Sequence, residues 1–321
     1  MHLGHVRNIL LGMSISNLLE FIGNKVIRVN LNNNRGIHVC KSMLAYQKWG
    51  KGKNPDKKGD HFVGDFYVRF QNEATKNPEL EKEAEEMLIE WENGNKEVVD
   101  LWKKMNGWAI KGFNETYDKF RPKFDKIYNE SEFYKEGKEV VHDGLKKGLF
   151  EKDETGAIVV NLTKYGLGKK VLLRADGTSI YITSDLYLAK KKFEDFKMDK
   201  SVHVVGSEQI HHFKVLFELL KMLKLPFADN CYHLSYGLVY LPEGKMKSRE
   251  GKVVDADDII KEMEDLARDE VKKRYKDLGP KEIERRARAI GMAALKFYIL
   301  KYDPATDIYF NPGESISFEG E

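Results

Sequence analysis

The chain has 321 residues, 54 of them basic and 51 acidic, for a net charge of +3; it is long enough to bury a substantial core, and too evenly charged for overall charge to signal nucleic-acid binding, so any such contact must come from local patches. Its two cysteines, Cys40 and Cys231, lie far apart and outside any CxxC spacing, which excludes a disulfide framework and gives no expectation of a protein metal site. No apolar run approaches a membrane span and the first residues do not form a signal peptide, so the chain reads as cytoplasmic, with no membrane partner.

The first predicted element is a helix opened by His2-Leu3-Gly4-His5. Val6, Ile9, Leu10 and Met13, then Ile15, Leu18, Leu19 and Ile22, recur at helical spacing until Gly23. Two imidazoles at a helix start, where N–H groups are unpaired and the dipole is positive, suit a polyphosphate, and Gly4 allows a ligand close to the backbone. Val26 to Leu31 alternates as a strand, Asn32 to Gly36 turns, and Ile37 to Trp49 is a second helix. From Lys51 to about Gly112 the character changes. The stretch Lys51 to Lys58 reads either as a solvated loop or as a nucleic-acid contact. Phe62 to Val68 follows, then a charged helix from Pro78 to near Gly94, then a helix burying Val98, Leu101, Trp102, Met105 and Trp108. Its aromatic residues read as packing.

Phe124 to Tyr128 returns as a short strand, and a helix runs from about Lys135 to Gly148. Ile158 to Leu162 and Val171 to Leu173 are small β segments, and Val202 to Val205 has the form of a buried parallel strand ending at Gly206. A helix through Phe213 to Leu223 leads to a last strand, Tyr232 to Tyr240, which enters the lysine-rich loop Lys245-Met246-Lys247-Ser248-Arg249-Glu250-Gly251. Ala256 to Arg288 is helical and charged, Ile290 to Leu300 is a more apolar helix, and Asp303 to Glu321 is irregular. The expected fold is α/β, a doubly wound parallel sheet with an inserted α+β subdomain. Residues 1–50 form its first half and 51–112 a mainly helical insertion; 113–255 form the second half, with a small β insertion near 150–175 and the lysine loop at 245–251. Residues 256–321 form a closing helical segment.

The HxGH string followed by the lysine loop resembles the ATP site of class I aminoacyl-tRNA synthetases. Further strings narrow the resemblance to arginyl-tRNA synthetases of a bacterial type: His2 to Asn8, Arg35 to Met43, Leu173 to Thr178, Tyr181-Ile182-Thr183-Ser184-Asp185, Gly206-Ser207-Glu208-Gln209 and Tyr236-Gly237-Leu238-Val239. Asn311 to Gly320 resembles the segment that precedes an anticodon-binding domain. The resemblance covers nearly the whole chain and implies ATP, Mg²⁺ carried on the nucleotide phosphates, L-arginine and the acceptor end of tRNA(Arg). On it, His2, Gly4 and His5 hold ATP, Lys245 grips the departing pyrophosphate, and Lys247 or Arg249 assists, since Ser248 stands where the motif usually has its second lysine. Glu208 after Gly206 matches the ribose position, and Gly237, Leu238 and Val239 the strand edge that meets adenine. Asp185 takes the guanidinium, with Tyr181, Gln209 and Asn33 as polar partners. His211 and His212 read either as site-lining or as core histidines, and Asn34 departs from the usual aspartate, which puts the role of its turn in doubt.

Two other readings are open: a non-catalytic or weakly active fragment or paralogue binding nucleotide, tRNA or a protein, and a different class I ligase. In the family a sheet strand and a tRNA-binding domain precede the HxGH motif and a helical anticodon-binding domain follows. The chain is therefore expected to be a truncated or split form, weakly active or inactive alone, with those segments as partners in trans.

Overall fold

A computed structural model of the chain describes residues 1–241, 244–245 and 255–311. Helix α1 (Leu3–Phe21) buries Leu3, Val6, Arg7, Leu10 and Leu11. The apolar stripe is buried only in its first half, since Leu18, Phe21 and Ile22 stay open to solvent, Phe21 at 90%. Strand β1 (Val29–Asn32) pairs in parallel with β2 (Lys126–Asn129), Val29 opposite Lys126 and Asn32 opposite Asn129. It starts later than the alternation of Val26 to Leu31 suggests. Pairing begins where the Arg28 amide donates to the Asp125 carboxylate at 2.7 Å.

Between these strands the described chain is helical: α2 (Ile37–Trp49), α3 (Gly59–Ala74), α4 (Glu79–Glu92) and α5 (Lys96–Phe120). Phe62 to Val68 lies inside α3. The aromatic residues pack, as expected of them: Tyr46, Phe62, Phe66 and Trp108 meet edge to face with centroids 5.2 to 5.6 Å apart. The β component lies further on. After α6 (Tyr134–Lys146), strands β3 (Glu151–Lys152), β4 (Ile158–Asn161) and β5 (Lys169–Leu173) form an antiparallel meander. Its core is shared with α7 (Tyr181–Phe196) through Leu172, Ile182 and Leu186.

Strand β6 (Ser201–Gly206) crosses over through α8 (Ile210–Met222) to the parallel β7 (Cys231–Tyr236), with Gly206 opposite Tyr236. The expected continuous strand Tyr232 to Tyr240 breaks at Gly237-Leu238. A Cβ on Gly237 would lie 2.5 Å from the Thr306 carbonyl, so the chain runs hard against that loop and leaves its sheet. Beyond the break, β8 (Val239–Leu241) joins β9 (Gly244–Lys245) and the parallel β10 (Ile308–Tyr309). Thus the tail expected to be irregular contributes a strand. The charged stretch from Ala256 divides into α9 (Ala256–Arg274) and α10 (Pro280–Leu300), because Gly279 and Pro280 start a new helix. Leu3, Val6 and Leu10 of α1 pack with Ile259, Leu295 and Ile308 in one core. The whole is an α/β chain with parallel strand pairs crossed over by helices.

Titration should report this packing. His203 and His233, on adjacent strands, both meet the Phe213 ring, His203 tilted with centroids 5.0 Å apart and His233 stacked at 4.2 Å. Burial first, then neighbouring positive groups for His203, lower both pKa values. The His203 ring is therefore neutral when folded and takes up its proton near pH 6.5 only when unfolded, and His233 shifts in the same direction. Stability is then full above pH 6.5 and falls as pH drops below it, by up to about 1.4 kcal/mol per pH unit for His203. Urea midpoints should hold from pH 7.5 to about 6.5 and fall from there to pH 5.5; a flat profile would contradict neutral burial of His203.

Candidate active site

His2 occupies the N-cap of α1, and its Nδ1 accepts from the Gly4 amide at 3.1 Å. The His5 Nδ1 accepts from the His2 amide, also at 3.1 Å, closing a capping box made of imidazoles. The ring centroids lie 3.8 Å apart. Desolvation lowers the pKa of both rings, and for His5 the adjacent His2 lowers it further. Both are thus neutral at pH 7, and with Nδ1 accepting, the proton of each ring sits on Nε2. The helix start therefore presents two Nε2–H donors. Gly4 also seats His2, since a Cβ there would come within 2.9 Å of His2 Cε1.

The second motif returns to this point. His2 forms an isolated antiparallel bridge with Asp255, and the Ala256 amide donates to the Met1 carbonyl at 3.0 Å. Asp255 caps α9 and meets His61 Nε2 at 2.9 Å. Lys245 lies on β9, opposite Tyr240. Lys247, Ser248 and Arg249 fall outside the described residues, as does 312–320 of the closing segment. Both feet of the lysine loop are nonetheless anchored, one on β9 and one beside His2.

A second group of residues forms a wall around Glu130. Asn33, after β1, donates to Glu130 Oε2 at 3.0 Å, and Ser184 on α7 donates to Glu130 Oε1 at 3.0 Å. Tyr181 and Asp185 lie one turn apart on α7, with Tyr181 half exposed. Asp185 Oδ2 meets His212 Nε2 of α8 at 2.7 Å. Glu130, absent from the sequence-based set, is almost fully buried. Burial raises its pKa, Asn33, Arg35 and Ser184 lower it, and Asp185 raises it again. Two carboxylates thus share one wall, and Asp185 raises the cost of charge on Glu130. Glu130 sits among Asn129 and Ser131 at the end of a short strand, and nothing in that local pattern marks it. Lys51 to Lys58 resolves toward structure at its end, because Lys58 pairs with Asp257 at 2.5 Å.

Asn34 has a structural use that an aspartate has no N–H to fill. Its Nδ2 donates to Ser131 Oγ at 2.9 Å while its Oδ1 accepts from the Ser131 amide at 3.0 Å. Glu208 and Gln209 lie on the short turn after Gly206 and are exposed. The edge expected to meet adenine is already engaged at two of its three residues. Gly237 donates to the Pro304 carbonyl at 2.8 Å and Leu238 to Asp307 Oδ1 at 2.7 Å. The Gly237 and Leu238 carbonyls accept from Arg7 at 2.6 and 3.3 Å. Val239 is buried on β8.

Comparison with known proteins places this arrangement. The family model for tRNA synthetases class I (R), catalytic domain, matches residues 1–312. Across its whole length the chain is 51% identical to the arginine–tRNA ligase of Treponema denticola and 50% identical to that of Parabacteroides distasonis, spanning 55% and 57% of those proteins. Its fold is similar to Thermus thermophilus arginyl-tRNA synthetase, with a TM-score of 0.82 at 23% identity, covering all of this chain and 59% of that one. A Plasmodium falciparum arginyl-tRNA synthetase is similar at a TM-score of 0.77, 20% identity and 53% coverage of that chain. The chain spans just over half the length of the curated relatives it matches, and it belongs to the class I tRNA synthetases of the arginine group, in their catalytic domain.

Proposed function

We propose that the chain activates L-arginine with ATP and transfers it to the 3′ end of tRNA(Arg). The observation that carries this reading is the bridge between His2 and Asp255, which brings the foot of the lysine loop to the imidazoles that cap α1. In the first step the arginine carboxylate attacks the α-phosphate and pyrophosphate leaves; the terminal ribose hydroxyl then takes the arginyl group and adenylate departs. The Nε2–H groups of His2 and His5 donate to phosphate oxygens as they gain charge. Lys245 and the cations of its loop, Lys247 and Arg249, draw off the pyrophosphate, with Ser248 beside them. Gly206 and Glu208 take the ribose, and the chain at 237–239 walls the adenine.

Arginine brings two cations, and the wall offers two carboxylates. Asp185 takes the guanidinium with Tyr181 and Gln209; Glu130, steadied by Asn33, takes the α-ammonium. A substrate with both charges relieves the repulsion between the two acids, which an uncharged amino acid does not. Mg²⁺ arrives with the triphosphate. Among the described residues the group with ligand-like spacing is His61, Asp255 and Asp257, and Lys58 and Lys119 already pair with Asp257 at 2.5 and 2.6 Å, which leaves no acidic cage there. No helix among the described residues is long and apolar enough to cross a membrane, and we place the activity in the cytoplasm. Segments beyond this chain, joined to it or supplied in trans, complete the tRNA contacts.

The test is arginine-dependent exchange of pyrophosphate into ATP with tRNA(Arg) present. Asp185→Ala should lower arginine use by two to three orders of magnitude, as expected when a buried ion pair loses one partner at a cost of roughly 3–5 kcal/mol. The KM for ATP should stay within about threefold of the parent value, since the phosphates lie on other elements. Equal losses for both substrates would make Asp185 a structural residue and overturn its assignment.

Gly4→Ala should act on the opposite substrate. The added methyl displaces the His2 ring and breaks the cap, so exchange should fall by about a hundredfold, in line with loss of an oriented donor. Thermal stability should drop by no more than a cap is worth, about 1 kcal/mol. Wild-type exchange in a folded Gly4→Ala variant would remove the imidazole pair from the chemistry.

A further inference from the structure

Asp185 is held before any substrate arrives, and what holds it bears on selectivity. A carboxylate on a short side chain has a broad, two-fold torsion at its end, so an unsupported Asp185 can turn its oxygen pair freely. Such freedom costs little when the partner is an ammonium, a point charge that accepts any approach. It costs more for a guanidinium, whose planar fork needs both oxygens in its own plane. Among the described residues, Asp185 Oδ2 accepts a hydrogen bond from His212 Nε2 at 2.7 Å. A carboxylate only accepts, so the proton of this bond lies on Nε2 of His212.

The His212 ring is itself oriented. It meets the buried Phe213 ring edge to face, with centroids 5.6 Å apart and planes at 88°, and Phe213 in turn stacks on His233 at 4.2 Å. The third residue of α8 thereby fixes a torsion on α7. Asp185 Oδ2 keeps a lone pair beyond the one His212 uses, and Oδ1 keeps both, so the carboxylate can receive a fork with His212 still in place. Both side chains are about a quarter exposed, open to a ligand on the free side.

We infer that His212 is a positioning residue for selectivity: by fixing the plane of the Asp185 carboxylate it favours a planar guanidinium over an ammonium of the same charge. The inference rests on the assignment of Asp185 to the substrate side chain.

The experiment titrates the chain by calorimetry with L-arginine and, separately, with L-lysine, in the parent and in Asp185→Asn, His212→Leu and His212→Gln. Asp185→Asn should abolish arginine binding. In His212→Leu, arginine affinity should fall roughly tenfold while lysine affinity changes by less than about threefold, so the ratio between them narrows. His212→Gln, which keeps a donor, should recover most of the arginine affinity. A proton NMR signal from the His212 Nε2–H should be present in the parent and lost or shifted in Asp185→Asn, which needs no His212 variant to fold. If arginine and lysine weaken together in His212→Leu, or arginine is unaffected, the positioning role is overturned while the site stands. Absence of the Nε2–H signal in the parent overturns it equally. If the parent binds no arginine, or Asp185→Asn binds it as well as the parent does, the site assignment fails and takes this role with it.

Discussion

Arg7 lies fully buried one turn into α1, and its guanidinium donates to the backbone of two separate segments. Nη1 reaches the Gly237 and Leu238 carbonyls, and Nη2 reaches those of Asp303, Pro304 and Thr306 at 3.4, 3.2 and 2.8 Å. Burying a charge is costly unless its donors are met, and here carbonyl dipoles meet four of five, with Nε left without a partner. The site geometry depends on that constraint. The helix that carries His2 and His5 cannot shift against the break between β7 and β8 without stranding a buried charge. Asn8, next in the chain, extends the tie to the Val204 carbonyl at 2.6 Å and the Tyr236 hydroxyl at 3.1 Å.

A second buried arginine does the same for the wall around Glu130. Arg35 pairs with Glu92 of α4, lies 3.7 Å from Glu130 and bonds to Ser179 at 2.6 Å. The Trp91 and Tyr134 rings flank it at 5.5 and 4.6 Å. The helical excursion between β1 and β2 is thus wired to the residue assigned to the α-ammonium. An insertion that looks peripheral along the chain supplies part of the electrostatic floor under the site.

This explains what could be read in advance. Helix α2 was legible to the residue because its ends carry Gly36 and Gly50 and its apolar face repeats at helical spacing. Strand β6 was legible because a short apolar run ending in glycine has few alternatives. The HxGH and lysine-loop strings made the family legible because each is a compact local pattern. Glu130, His212 and Arg35 owe their roles to partners far along the chain, and no local period records such a partner. The break at Gly237 is of the same kind, since its cause is Thr306, and so is the exposed end of α1, whose apolar residues predict a neighbour that the described residues do not provide.

The capping box at His2 and His5 has a consequence for how this helix can change. An aspartate or serine at position 2 would be a stronger cap than an imidazole, and chance substitution toward a more stable helix would favour either one. Yet the atom that caps also fixes the tautomer, so the better cap removes a donor, and an aspartate adds a charge that repels phosphate. On the proposed function, helix stability and phosphate recognition are therefore written in the same pair of rings. Selection for a sturdier fold at this position would then work directly against turnover, and a thermally hardened relative would have to find its stability elsewhere.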